Sequence, residues 1–188
     1  MNEIRDQFMN AVDMYGVESI ELEFRRKITR HVHDAIINML TTSTHVAPLG
    51  ECVTREELGD TDARDVTFPN GPDDATPYTM YKRRLCSMHM GPTRVSVALE
   101  RRGEPDGTPK KVFRIKTRHS FHIDGLWRID VTRVETNDPR YLDDDEYAYE
   151  LEVELITASD GMYQYTIDHL LNWGRMLIDE IHDTASSN

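Results

Sequence analysis

Apolar positions along this chain repeat with two different periods, and the switches between them mark out its elements. Residues 3 to 15 carry Ile4, Phe8, Val12 and Tyr15 at helical spacing, which predicts an amphipathic helix ended near Gly16. In "ESIELEFRR" the period falls to two. Ile20, Leu22 and Phe24 alternate with Glu21, Glu23 and Arg25, as on a strand with one apolar and one charged face. Residues 27 to 40 return to helical spacing through Ile28, Val32, Ala35, Ile36 and Met39. From 41 to 77, prolines and glycines at 48, 50, 59, 69, 71, 72 and 77 leave room only for short strands, expected near 51 to 56 and 64 to 68.

Strand character then dominates. "YTMYKRRLCSM" and "TRVSVALERR" flank "HMGP", which suits an antiparallel connection, and "KVFRIKTRHSFHI" and "LWRIDVTRVE" flank the hairpin signal "DG". "YELEVELI" alternates Glu150, Glu152 and Glu154 with Leu151, Val153 and Leu155. The acidic run Asp143, Asp144, Asp145 and Glu146 before it reads as a solvated loop. Residues 163 to 183 predict a last helix through Ile167, Leu170, Leu171, Gly174, Ile178 and Ile181. About eight consecutive antiparallel strands with helices early and late make an α+β fold, for which a closed barrel is one solution.

Charge changes that picture. Besides the two acidic strands, "FRIKTRHSF" sets Arg114, Lys116 and Arg118 on one face, and "WRIDVTRVE" does the same with Arg128, Asp130 and Thr132. Small barrels ordinarily fill their interior with apolar side chains. Here helices packed outside would cover the apolar faces, and the charged faces would point into a shared lumen. Glu150, Glu152 and Glu154 are then expected to face Glu21 and Glu23 across a tunnel. Burying so many ions costs several kcal/mol each unless partners compensate. Crowded carboxylates repel, and a divalent cation turns that repulsion into coordination; hard oxygen donors favour Mg²⁺ or Mn²⁺. Arginine and lysine facing them suit phosphate oxygens. These are the parts of a phosphoryl-transfer site, although a lumen of mutually neutralising ion pairs without chemistry fits the charge pattern as well.

Length and composition bound the reading. The 188 residues suit a single domain spanning 1 to 188, and the formal net charge of −12 disfavours nucleic acid or anionic membrane except at a local basic site. No apolar run reaches membrane-span length and no signal-peptide layout opens the chain, so a soluble intracellular protein without membrane contact is expected. Cys52 and Cys86 read as ordinary thiols. His31 and His33, two apart on a helix, do not share a face, and of His119 and His122 on one strand at least one reads as surface. Trp127 and Trp173 are expected to anchor packing.

At "ELEF", "RIKTRHSF", "RIDVTRVE" and "ELEVE", in that order, the sequence resembles the triphosphate tunnel metalloenzymes, and within them the metal-dependent RNA triphosphatases of fungal, protozoan and large-DNA-virus mRNA capping. The viral branch is the most similar. The resemblance implies a closed eight-stranded antiparallel tunnel with a charged interior and helices outside. It also implies removal of the γ-phosphate from a 5′-triphosphate RNA end to leave a diphosphate end, and hydrolysis of nucleoside triphosphates with Mn²⁺. Carried over by motif, Glu21, Glu23, Glu152 and Glu154 hold Mg²⁺ or Mn²⁺, and Arg114, Lys116, Arg118 and Arg128 bind phosphates. Asp130, Thr132 and Glu150 support them. The broader family's first motif often ends in lysine, whereas Arg25 stands here and is assigned to phosphate. In the middle strands, Lys82, Arg84 and Arg94 are further phosphate contacts. Glu100 or Glu152 orients the water, and Arg114 joins them as a catalytic group. A separate guanylyltransferase would be a partner, and the compartment would be the host nucleus or cytoplasm, or a virion. Two alternatives stay open: an inorganic tripolyphosphatase on the same fold, and a non-catalytic polyphosphate- or nucleotide-binding subunit.

Overall fold

The computed structural model describes residues 1–59, 63–69, 75–104, 110–138, 147–156 and 164–187. The acidic run Asp143, Asp144, Asp145 and Glu146 lies outside the described residues. Among the described residues three α-helices and eight strands follow in the order α1 (Asn2–Tyr15), β1 (Ile20–Ile28), α2 (Arg30–Thr42), β2 (Val46–Leu58), β3 (Ala63–Thr67), β4 (Tyr78–Met90), β5 (Thr93–Gly103), β6 (Val112–Ile123), β7 (Trp127–Thr136), β8 (Ala148–Leu155) and α3 (Ile167–Ser186), with a 3₁₀ turn at Val17–Ser19. The strands close into one antiparallel barrel in the order β1-β5-β4-β3-β2-β6-β7-β8.

Two boundaries differ from the sequence reading. Lys27 and Ile28 belong to β1, because the side chain of Thr29 caps α2 by accepting a hydrogen bond from the Val32 amide at 3.4 Å. The second strand is far longer than 51 to 56: a bulge between Pro48 and Gly50, where Gly50 adopts φ 101°, lets β2 stay paired with β6 on both sides of it. The "DG" hairpin forms as read. Asp124 and Gly125 have φ 53° and 64°, and the Leu126 amide donates to the Ile123 carbonyl at 3.1 Å, the mirror-image turn that matches strand twist.

The apolar core lies outside the barrel wall, not within it. Leu22, Phe24, Val95, Val97, Ile129, Val131, Leu151 and Val153 turn outward and are fully buried beneath α1, α2 and α3, which contribute Ile4, Phe8, Ile36, Leu171 and Ile178. Each such side chain supplies roughly 1.5–3 kcal/mol of burial, so the tunnel wall is held from its outer face. Trp127 sits edge-on to Phe24 at 6.2 Å and to Trp173 at 6.1 Å, the anchoring expected of both tryptophans. Alternation then forces the remaining side chains of these strands inward. Cys52 and Cys86 are free thiols.

Candidate active site

Because β1 is flanked by β5 and β8, its inward residues Glu21, Glu23 and Arg25 sit beside those of both neighbours. Register places Glu154 next to Glu23, Glu152 next to Arg25 and Glu150 next to Lys27. The two acidic strands are therefore hydrogen-bonded neighbours on one wall, which corrects the expectation that they oppose each other across the tunnel. The alternation was right about the face, but strand order decides what lies opposite.

Two chambers share a ring of side chains along the lumen. The first, about 170 Å³, gathers the carboxylates Glu21, Glu23, Glu56, Glu100, Glu152 and Glu154 against Arg25, Arg64, Lys82, Lys116, Arg118 and Arg128. The second, about 250 Å³, is almost wholly cationic, with Arg84, Arg94 and Arg114 added to Arg25, Arg64, Lys82 and Lys116 and only Glu23 against them. Arg114 thus stands in a different chamber from Glu100 and Glu152, the two carboxylates with which it was grouped. Glu150, Asp130 and Thr132 line neither chamber. They lie buried behind the lining, where Asp130 accepts from Ser120 Oγ at 2.6 Å and from Arg128 Nε at 3.0 Å, with Arg118 Nε 3.4 Å away. Asp130 positions the two arginines rather than meeting the lumen.

Ion pairs knit the walls together. Arg25 Nη2 lies 2.8 Å from Glu23 and 2.6 Å from Glu152, and its Nη1 lies 3.4 Å from Glu150. Lys82 Nζ pairs with Glu21, with Glu100 at 3.0 Å and with Glu23 at 3.8 Å. Burial pushes the Lys82 ammonium down, but these three carboxylates outweigh it and hold it above the ordinary lysine range. Arg118 behaves likewise: burial lowers it, and Asp130 and Glu152 raise it further. Glu152, which burial would raise, is held below the carboxylate range by Arg25 and Arg118.

The opposite holds at the other carboxylates. Burial pushes Glu154 up to about 8, and the nearby charges of Glu21, Asp130 and Glu100 add to it against the pull of Arg128 Nη2 at 2.6 Å. Glu21 is also raised, first by burial and then by a hydrogen bond shared with Glu100, although Lys82 opposes this. Protein cations alone leave this corner short of positive charge. Among the described residues no three acidic, histidine or cysteine side chains stand as a ready-made ion cage. Even so, an oxygen-only donor set in which burial raises Glu21 and Glu154 fits a hard divalent ion once Lys82 gives way.

Sequence reasoning missed Glu56 and Arg64. Glu56 Oε1 lies 3.0 Å from Lys116 Nζ and its Oε2 lies 3.2 Å from Arg64 Nη1. Burial alone would raise Glu56, but Lys116 and Arg64 bring it down to about 2. The segment "VTREEL" hides it because Arg55 and Glu57 make a second pair, 2.9 Å, on the outer face, so neither face reads as apolar. Tyr78, Met80 and Arg102 also line the first chamber and had no sequence signal.

No protein-family model and no curated protein matches the sequence. Solved structures do match. The mimivirus capping enzyme triphosphatase is 20% identical, with a TM-score of 0.67 over 97% of this chain and 96% of that one. The S. pombe RNA triphosphatase Pct1 is 17% identical, with a TM-score of 0.69 over 96% and 90%. The RNA triphosphatase domain of a trifunctional mimivirus mRNA capping enzyme is 19% identical, with a TM-score of 0.61 over 98% and 96%. At these identities the likeness shows the fold, and it is the fold that the resemblance implied: a closed, eight-stranded antiparallel tunnel with helices packed outside.

Proposed function

We propose that this chain is a metal-dependent polynucleotide 5′-triphosphatase that removes the γ-phosphate of 5′-triphosphate RNA, the first step of mRNA capping, and that it also hydrolyses nucleoside triphosphates with Mn²⁺. The observation that carries this reading is the first chamber, about 170 Å³, where Glu21, Glu23, Glu152 and Glu154 line one lumen with Lys116, Arg118 and Arg128. The pairs are unevenly spread: Arg25, Lys116 and Arg118 hold Glu152 and Glu56, while Glu21 and Glu154 share Lys82 and Arg128 with Glu100 and Asp130.

Glu21, Glu23, Glu152 and Glu154 would hold Mg²⁺ or Mn²⁺, which when bound supplies positive charge to the γ-phosphoryl oxygens. Lys116, Arg118 and Arg128 take the non-bridging oxygens, and Asp130 fixes two of those guanidiniums in place. Glu100, at the edge of the chamber, holds a water in line with the β,γ-bridging oxygen. Its attack forms the new P–O bond to γ-phosphorus as the bond to the bridging oxygen breaks, leaving orthophosphate and a diphosphate end. Arg84, Arg94 and Arg114 line the cationic second chamber and draw the polyanion inward. A guanylyltransferase that acts on the diphosphate end would be the partner.

The test is phosphate release from a 5′-triphosphate oligoribonucleotide with Mg²⁺ or Mn²⁺, with and without chelator. Release that stops on chelation is expected. Release indifferent to chelator would overturn the metal assignment, and no release from any triphosphate would overturn the enzyme assignment in favour of a binding subunit.

A further inference from the structure

Three arginines clustered on β4 and β5 differ from those that line the carboxylate corner. Arg25 touches three carboxylates, and Arg118 and Arg128 two each. Among the described residues Arg83, Arg101 and Arg102 have no ion-pair partner, although the chain carries 34 acids to 22 lysines and arginines. Each lies on a tyrosine ring instead. Arg102 stands 4.5 Å from the centroid of Tyr78, Arg101 5.4 Å from Tyr81 and Arg83 5.9 Å from Tyr15, to whose hydroxyl it also donates at 3.1 Å.

Their placement is continuous with the tunnel. Tyr78 opens β4 and Arg102 stands one residue before the end of β5, and both line the first chamber. Tyr81 and Arg101 are register partners on the outer face of the same two strands. With Tyr15, Arg83 and Leu99 they border a recess of about 570 Å³ that shares Lys82 and Glu100 with the chamber. Exposed guanidiniums stacked on aromatic rings are the chemistry that holds single-stranded nucleic acid: flat faces for bases and positive charge for the backbone. A bare polyphosphate has no use for such faces.

We propose that the β4–β5 rim is the landing surface for the first nucleotides of the RNA, whose bases stack on the Arg–Tyr pairs while its triphosphate enters the first chamber past Tyr78 and Arg102. This rests on the reading above and deepens it. It fixes which end of the tunnel the RNA enters, and it makes RNA, not free tripolyphosphate, the preferred substrate.

The test compares the full chain with an Arg83→Gln/Arg101→Gln double variant and with Tyr81→Leu. Anisotropy of a 3′-labelled 5′-triphosphate hexaribonucleotide, read in chelator so that no turnover occurs, should show about tenfold weaker binding in each variant. With metal, KM for the same RNA should rise by about tenfold while KM for tripolyphosphate changes by less than about twofold. All substituted side chains face outward, and unchanged thermal unfolding verifies the fold. Equal RNA binding by parent and variants, or no RNA binding by the parent, overturns the rim assignment. Equal shifts for RNA and tripolyphosphate overturn it too. Selective loss of RNA binding in a parent without hydrolysis would uphold the rim and sink the enzyme reading instead.

Discussion

Glu56 is tied to Lys116 and Arg64 on the strands either side of its own, and its pKa of about 2 makes it a stability element with a defined pH window. The folded value lies below the unfolded one, so the stabilisation is complete above the unfolded pKa and disappears as pH falls through the folded one. The shift corresponds to about 3 kcal/mol. Denaturant unfolding of Glu56→Gln should therefore show a deficit of that order at neutral pH that shrinks between about pH 4.5 and about pH 2. A deficit independent of pH would mean the carboxylate charge is not what Lys116 and Arg64 require. Glu21, Glu23 and Glu154 have a different role at the same scale. Replacing any of them with alanine should cut triphosphate hydrolysis by about a hundredfold or more while the fold survives, because the loss falls on charge stabilisation and not on packing. Wild-type rates in all three variants would exclude them as metal ligands.

At the scale of elements, α3 is seated on the barrel by an absence. A Cβ at Gly174 would overlap the Phe24 ring and come within 2.8 Å of Trp127, both of them fully buried. Gly174→Ala should cost roughly 1–3 kcal/mol and lower the Tm by roughly 5 °C. KM for tripolyphosphate should stay unchanged, because the clash lies on the outer face of β1 and β7. Legibility followed the same division between covered and uncovered wall. Strands β1, β7 and β8 could be read directly, because apolar side chains alternate with charged ones where helices cover the outer face, and β6 from its own alternation although its outer face is half-exposed. Strand β2 could not, since Arg55 and Glu57 face outward and Pro48 and Gly50 interrupt it, yet it pairs with β6 throughout. Glu56 and Arg64 were lost with it. That Glu152 and Glu154 share one face was legible from period alone, and their inward direction only from the matching charged faces of the other strands. Their place beside Glu21 and Glu23, instead of opposite, was not, because period says nothing about which strands close the barrel.

For the molecule as a whole, the protonated corner links metal, pH and stability. The raised pKa of Glu154 means that ionising it costs folded-state stability as pH rises from its unfolded value towards about 8. A divalent ion must displace that proton, so Mn²⁺ should raise the Tm, by the equivalent of about 2.7 kcal/mol at a hundredfold excess over its Kd, with apparent affinity growing from about pH 6 to about pH 8. In Glu154→Gln the growth with pH should shrink to what Glu21 contributes. A metal-induced Tm shift equally pH-dependent in both proteins would show that another group releases the proton.

The seam between β1 and β8 has a consequence for how the molecule comes into being. Arg25 and Glu152 are 127 positions apart, yet they lie side by side in the finished wall. Pairings between distant segments form late, after the entropy of the intervening loop has been overcome. β8 is the last strand of the barrel in chain order, and it brings Glu150, Glu152 and Glu154 while pairing with both β7 and β1. Closure of the wall and completion of the carboxylate set therefore depend on one and the same pairing.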